Sequence, residues 1–328
     1  MTLKGPNIKE ICALREQLTE DTLETPVLRC APLEAVIGGG TEVRAKLEFL
    51  QRTGTFKARG ALATLHGLSD AEKAAGVTAV SAGNHAIATA YAARALGTTA
   101  KVVMIGTANP LRIASCRAMG AEVVLVDDVH EAFDVAERIQ AEEGRYFVHP
   151  FEGPKIALGT GTVGVEICEQ VPDFDSLIVP IGGGGLIAGI ANAVKQLRPD
   201  CEIIGVEPFG ADSMYRSRQT GAAQSLETVS TIADSLGAPF AMPYSFALTE
   251  ANVDRLVRVD DDELRRTMGF LFRTMKLAVE PACAASTAAL LGPLRDDLRG
   301  NRVVVVMCGS NIDWDTFERQ AIFDDDIA

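Results

Sequence analysis

Leu177-Ile-Val-Pro-Ile181-Gly182-Gly183-Gly184-Gly185-Leu186-Ile-Ala-Gly-Ile-Ala-Asn-Ala-Val-Lys-Gln-Leu197 spells a strand, a turn and a helix in one line. Residues 177–181 are apolar throughout, with no polar partner in alternation. That pattern belongs to a strand covered on both faces, the situation in a parallel sheet. Four successive glycines cost conformational entropy. They are justified where backbone amides wrap an oxyanion such as phosphate at the start of a helix. The plainer reading, a tight strand–helix turn, needs one or two glycines. Dinucleotide folds space theirs G-x-G-x-x-G with an acid about 20 residues on. The run here therefore indicates an anion without naming the ligand.

The same rhythm extends outward from this unit. Strands are predicted at 43–48, 77–81, 101–105, 122–126, 202–206 and 302–307. Ala-rich helical stretches lie between them, for example 86–96, 131–143 and 186–197. Strand-then-helix repetition implies an α/β architecture with parallel sheet. Such sheets hold their ligands beyond the carboxyl ends of the strands, which directs attention to three further loops. The first, Thr53-Gly54-Thr55-Phe56-Lys57-Ala58-Arg59-Gly60, offers a lysine whose amine would be neutral enough to attack an aldehyde if it is partly buried beside Phe56. The plain alternative is a surface lysine opening a helix. The second, Ser81-Ala82-Gly83-Asn84-His85-Ala86, places a helix start where an anion could bind. Capping by Ser81 or Asn84 would explain the serine or the asparagine, but not the histidine. The third, Cys308-Gly309-Ser310-Asn311, offers a thiol able to hydrogen-bond a ring nitrogen weakly. Free cysteine is more often a small buried hydrophobe. Taken together, the four loops hold a lysine, an anion-binding turn, a phosphate cradle and a polar group, which suits a phosphorylated aldehyde.

Composition narrows the class. The chain has 328 residues, 47% apolar and 23% charged, with a net charge of −13. No basic block stands out, so neither nucleic acid nor a membrane surface is the expected partner. The seven cysteines are odd in number and irregularly spaced, without a C-x-x-C pair. They suggest neither zinc nor a disulfide scaffold, and fit a reducing cytoplasm. The first residues lack the apolar core of a signal peptide, and runs such as 303–307 are too short to span a bilayer. Asp324, Asp325 and Asp326 read as a solvated acidic end.

The motifs Lys46-x-Glu48, Gly54-Thr55-Phe56-Lys57-x-Arg59-Gly60, Ser81-Ala82-Gly83-Asn84-His85, the tetraglycine loop, Glu280-Pro281-Ala282 and Cys308-Gly309-Ser310-Asn311 stand in one order from about residue 25 to 311. The chain resembles the serine/threonine dehydratase family of fold-type II pyridoxal 5′-phosphate (PLP) enzymes, related to serine racemase. The resemblance implies a tryptophan synthase β-like α/β fold with two open, mostly parallel sheets. It places a large PLP-binding domain at 1–74 and 149–328 and a small domain at 75–148. Lys57 would hold PLP as a Schiff base and move the Cα proton, with Phe56 beside the cofactor. Asn84 would meet the cofactor 3-hydroxyl, and Gly182, Gly183, Gly184, Gly185 and Leu186 its phosphate. Cys308 would face the pyridine nitrogen. Being neutral, it would leave that nitrogen unprotonated and so favour β-elimination. Ser81, Ala82, Gly83, Asn84 and His85 would form the substrate-carboxylate loop.

Departures from the family pattern refine this expectation. Where the racemase branch has a serine acid/base, this chain has Ala82, which argues against racemisation. The racemase-like cation site would use Glu207 and the carbonyl of Ala211, but Ser213 stands in place of the third ligand, an acid, so the metal is left open. Cys283 replaces a usual glycine. The end of the chain leaves no room for a C-terminal regulatory domain. The expected activity is removal of water and then ammonia from L-threonine, L-serine or a related β-hydroxy amino acid, in the cytoplasm, by a homodimer or homotetramer. Hydroxyaspartate, a phenylserine or a catabolic hydroxy amino acid is the alternative substrate. A racemase, a β-replacement enzyme and a non-catalytic ligand-binding α/β protein are more distant readings.

Overall fold

A computed structural model describes residues 3–323, with only the backbone at Val129 and His130. Asp324, Asp325 and Asp326 lie outside the described residues. Ten strands run in chain order: β1 Val27–Arg29, β2 Glu42–Leu47, β3 Val77–Val80, β4 Ala100–Ile105, β5 Glu122–Val126, β6 Tyr146–Phe147, β7 Ser176–Pro180, β8 Glu202–Pro208, β9 Arg255–Val259 and β10 Arg302–Met307. They form a six-stranded sheet, β1-β2-β10-β7-β8-β9, and a four-stranded sheet, β5-β4-β3-β6. Among the described strands, only β1 is antiparallel, against β2. All seven predicted strands are present within one or two residues of their expected bounds. The three that pattern reading missed are the short or half-exposed ones: β1, β6, and β9 with its Arg-Leu-Val-Arg-Val sequence.

The strand from the opening stretch, β7, is buried at all five positions. It lies between β10 and β8 in the middle of the large sheet. The Pro154–Gln170 and Gly185–Leu197 helices pack against each other beside it. Because β10, the last strand, inserts between β2 and β7, the loops following all three open side by side. This is the arrangement that makes a ligand crevice in an open α/β sheet.

Four buried charges lock the first of these loops. Arg59 holds Glu48 through two bonds of 2.8 Å, Nε to Oε2 and Nη2 to Oε1. It holds Glu166 through Nη1 at 2.6 Å and Nη2 at 2.9 Å. Lys46 completes the set at 2.6 Å from Glu166 and also donates to the Thr25 carbonyl at 2.6 Å. None of the four side chains exceeds 2% exposure. Two positive and two negative charges cancel, and nearly every donor has an acceptor, which makes such burial tolerable. The quartet ties β2 and the Pro154–Gln170 helix to the Lys57–His66 helix, whose first residue is Lys57.

Candidate active site

A bridge between Thr55 and Gly309, with Phe56 N donating to Cys308 O at 3.1 Å and Ser310 N to Gly54 O at 3.0 Å, joins the β2 and β10 loops. Lys57, Phe56, Asn84, Gly182, Gly183, Gly184, Gly185, Leu186 and Cys308 consequently line one cavity. Ser81, Ala82, Gly83, Asn84 and His85, at the end of β3 in the other sheet, line an adjoining cavity of ≈ 320 Å³. Lys57, Asn84, Phe151, Gly183 and Ser235 belong to both. Every residue expected at the cofactor or the substrate is thus in one place.

Lys57 Nζ donates to the Pro150 carbonyl at 2.6 Å and stands 5.1 Å from the centre of the Phe56 ring. Burial lowers its pKa to about 8, against the opposing pull of Cys308 and Glu280. A neutral amine is therefore accessible near physiological pH. Asn84 is held on all sides: its amide donates to Glu280 Oε1 at 2.8 Å and Ser235 Oγ at 3.1 Å, and its oxygen accepts from Asn311 Nδ2 at 2.8 Å. Glu280 is itself buried and lies 3.5 Å from Arg112. Burial, with help from Asp234, raises its carboxyl to about 7. Arg112 also pairs with Asp234 and donates to the Asn311 carbonyl at 3.2 Å. Glu280 was part of a recognised motif but had no assigned role, and Arg112 and Asp234 carried no local signal.

A family model described as "Pyridoxal-phosphate dependent enzyme" matches residues 18–309. The chain belongs to this family. It is 54% identical over 314 residues to the phenylserine dehydratase of Ralstonia pickettii, covering 96% of each chain. It is 37% identical over 313 residues to the L-threonine ammonia-lyase of Thermotoga maritima, covering 95% of this chain and 77% of that protein. Its fold superposes on maize serine racemase with a TM-score of 0.91 at 32% identity, covering 96% of this chain and 97% of that one.

The cavity of this PLP enzyme suits an anionic phosphate. Among the described residues, no backbone or side-chain acceptor takes the amides of residues 182–187, apart from the anion the loop would hold. The helix they open has Gly184 as its N-cap and no side-chain cap. Unpaired buried amides at a helix start form an anion site. Steric demands also account for the glycines. Gly184 has φ +90°, and a Cβ at Gly185 would lie 2.5 Å from the Phe151 carbonyl oxygen. The run of four thus has two causes, where the sequence suggested one.

The Ser81–His85 loop follows the same plan. The Asn84–Ala95 helix has Gly83 at its N-cap and no side-chain cap, so neither Ser81 nor Asn84 is a plain cap. Ser81 Oγ instead accepts from Gly83 N at 3.1 Å. The His85 ring faces away from this role, its Nε2 meeting the Val148 carbonyl at 2.8 Å. Burial, with Lys57 nearby, lowers its pKa to about 3, so it is neutral. Cys283, unexplained in the sequence, lies against Cys308. That contact and burial raise the Cys308 pKa well above its usual value, which keeps the thiol protonated. Glu207 accepts from Met214 N at 2.9 Å and Tyr215 N at 2.7 Å, closing a helix start. Among the described residues, no group of three or more His, Cys, Asp or Glu side chains is placed to hold a metal ion.

Proposed function

We propose that this enzyme removes water and then ammonia from a 3-hydroxy amino acid with an aromatic side chain, phenylserine being the type. The ≈ 320 Å³ cavity carries the reading: beyond Lys57 and the Ser81–His85 turn, its wall includes Val103, Ile105, Phe133 and Phe240. A methyl group or a second carboxylate would leave that apolar wall unfilled or unmatched, whereas a phenyl ring would bury against it. The similarity to a phenylserine dehydratase points the same way. Threonine and serine, placed first by the sequence, remain smaller substrates of the same chemistry.

In this reading the amides of Gly182, Gly183, Gly184, Gly185 and Leu186 would hold the cofactor phosphate. Asn84, fixed by Glu280 and Asn311, would serve the 3-hydroxyl, and the protonated Cys308 thiol would serve the ring nitrogen. PLP, when bound, supplies an electron sink conjugated with Cα. Lys57 would hold the cofactor through its amine and would be the group that takes the Cα proton. The uncapped Ser81–His85 turn receives the substrate carboxylate. Ala82, which lines the same cavity, has no exchangeable proton to serve a second face of Cα, which supports elimination rather than racemisation. The sheet division supports domains at 1–74 with 149–328 and at 75–148, the smaller closing on bound carboxylate to exclude water. Cytoplasmic location rests on the seven unpaired cysteines among the described residues. Assembly as a homodimer or homotetramer is part of the same proposal, to be read by light scattering.

The test is release of 2-oxo acid and ammonia from phenylserine, threonine, serine and 3-hydroxyaspartate. Phenylserine should have the highest kcat/KM, at least about tenfold above threonine, in line with a large apolar group gaining burial. A preference for threonine or hydroxyaspartate would overturn the aromatic assignment.

A further inference from the structure

After β6 the chain places three groups in succession: the Val148 carbonyl at His85, the His149 ring, and the Pro150 carbonyl at Lys57. His149 has no part in the reading above. Its Nδ1 accepts two backbone amides, Phe151 N at 3.2 Å and Glu152 N at 2.9 Å. An amide donates only to an unprotonated ring nitrogen, so a neutral imidazole must carry its proton on Nε2. Burial, reinforced by nearby Lys57, lowers the pKa of this ring to about 4, so it is neutral at working pH. The ring stands edge-to-face against Phe151 at 4.7 Å and against Phe147 at 6.2 Å, and cannot swing freely.

His149, half-buried, lines the ≈ 320 Å³ cavity, and among the described residues its Nε2 has no hydrogen-bond partner while its Nδ1 has two. The other polar side chains nearby are engaged: Arg112 by Asp234 and Glu280, Ser235 by Asn84 and Asp234. A locked, uncharged donor in a largely apolar wall has the form of a group awaiting one oxygen on a ligand.

We infer that His149 is a specificity-determining residue whose Nε2–H donates to the β-oxygen of the substrate, so that the site selects 3-hydroxy amino acids over their deoxy counterparts. This rests on the elimination reading above. The neutral ring donates a hydrogen bond and keeps its proton. Its effect is to orient the departing oxygen.

The test compares holoenzyme and its His149→Phe and His149→Gln variants, using phenylserine as substrate and phenylalanine, which lacks the oxygen, as competitor. His149→Phe should lower kcat/KM for phenylserine about 5–100-fold, the effect of leaving one polar contact unmade. It should leave phenylalanine binding within about twofold by the same reasoning, with His149→Gln recovering part of the loss. Nitrogen NMR of the parent should show His149 protonated at Nε2 only. An equal loss for phenylalanine, full activity in His149→Phe, or a proton on Nδ1 would overturn the inference. Should the parent turn over no hydroxy amino acid, the elimination reading falls. The equilibrium preference for phenylserine over phenylalanine, and its loss in His149→Phe, still decides the role of His149.

Discussion

The roles proposed for Lys57 put two demands on one amine, an attachment point and a base, and its burial beside Phe56 suits both. Lys57→Ala should abolish turnover, and borohydride should no longer fix the cofactor to the chain, as read by mass spectrometry of the reduced protein. Attachment through another lysine would refute the assignment. Because burial lowers this amine to about 8, the neutral fraction rises through that pH. Loading of PLP onto the cofactor-free enzyme should therefore accelerate with pH and level off above about 8. An ordinary lysine would keep accelerating toward about 10.4. At this scale the sequence located residues wherever they belong to a strand-end loop, as at Lys57, Phe56, Gly182 and Cys308, all of which line the same cavity. It was silent where meaning came from a distant partner. Glu280 meets Asn84 across 196 positions, and Cys283 reads as an odd substitution until Cys308 is seen beside it. His85, which helix capping did not explain, has its ring against the Val148 carbonyl of the following segment, a partner 63 positions away that the loop sequence could not show.

The elements that were read correctly are those whose burial is written into their composition. β7 and β10 are apolar because both faces are covered, and the helices that open at Asn84 and Gly185 announce themselves through glycine and small residues. Of the edge strands, β5 still reads as a strand through its Val-Val-Leu-Val run, whereas β1, β6 and β9 carry no such mark. β9 alternates arginine with aliphatic residues, and β6 has only two residues, so pattern alone cannot separate them from loop. The junction between β7 and its helix invites a direct test. Gly185→Ala would place a Cβ 2.5 Å from the Phe151 oxygen and 2.8 Å from its Cα, backbone that cannot step aside. Loss of stability in the range of about 1–3 kcal/mol, typical of overpacking, should appear in urea unfolding of the cofactor-free protein, together with weaker PLP retention. An unperturbed variant would mean that the loop has slack that the close contacts do not suggest.

Across the whole molecule, the two sheets meet through a polar seam: Asn84 to Glu280, Arg112 to Asp234, Asn109 to Asp313. Glu280 sits at its centre and gives the seam a pH signature. Its carboxyl ionises near 4.5 in the unfolded chain and near 7 in the folded one. Between those values the folded state binds the extra proton. The favourable contribution is complete below about 4.5 and is lost as pH rises through about 7, a swing of order 3 kcal/mol. Glu280→Gln should flatten that portion of the stability–pH curve relative to the parent, measured by denaturant unfolding from pH 4.5 to 8, and an unchanged slope would remove Glu280 as its source. The buried quartet is less forgiving. Glu166→Gln leaves Lys46 and Arg59 with a single carboxylate between them, and a loss of about 3–5 kcal/mol is expected from breaking a buried pair, readable as a lower unfolding midpoint. None of the four side chains lines either cavity, and yet Lys46-x-Glu48 and Arg59 were among the residues by which the chain was recognised. By this reckoning any one member should be exchangeable only where a second change covers the stranded charge, so the four should vary together or not at all. Since none of them touches either cavity, such a constraint would be independent of what the enzyme consumes.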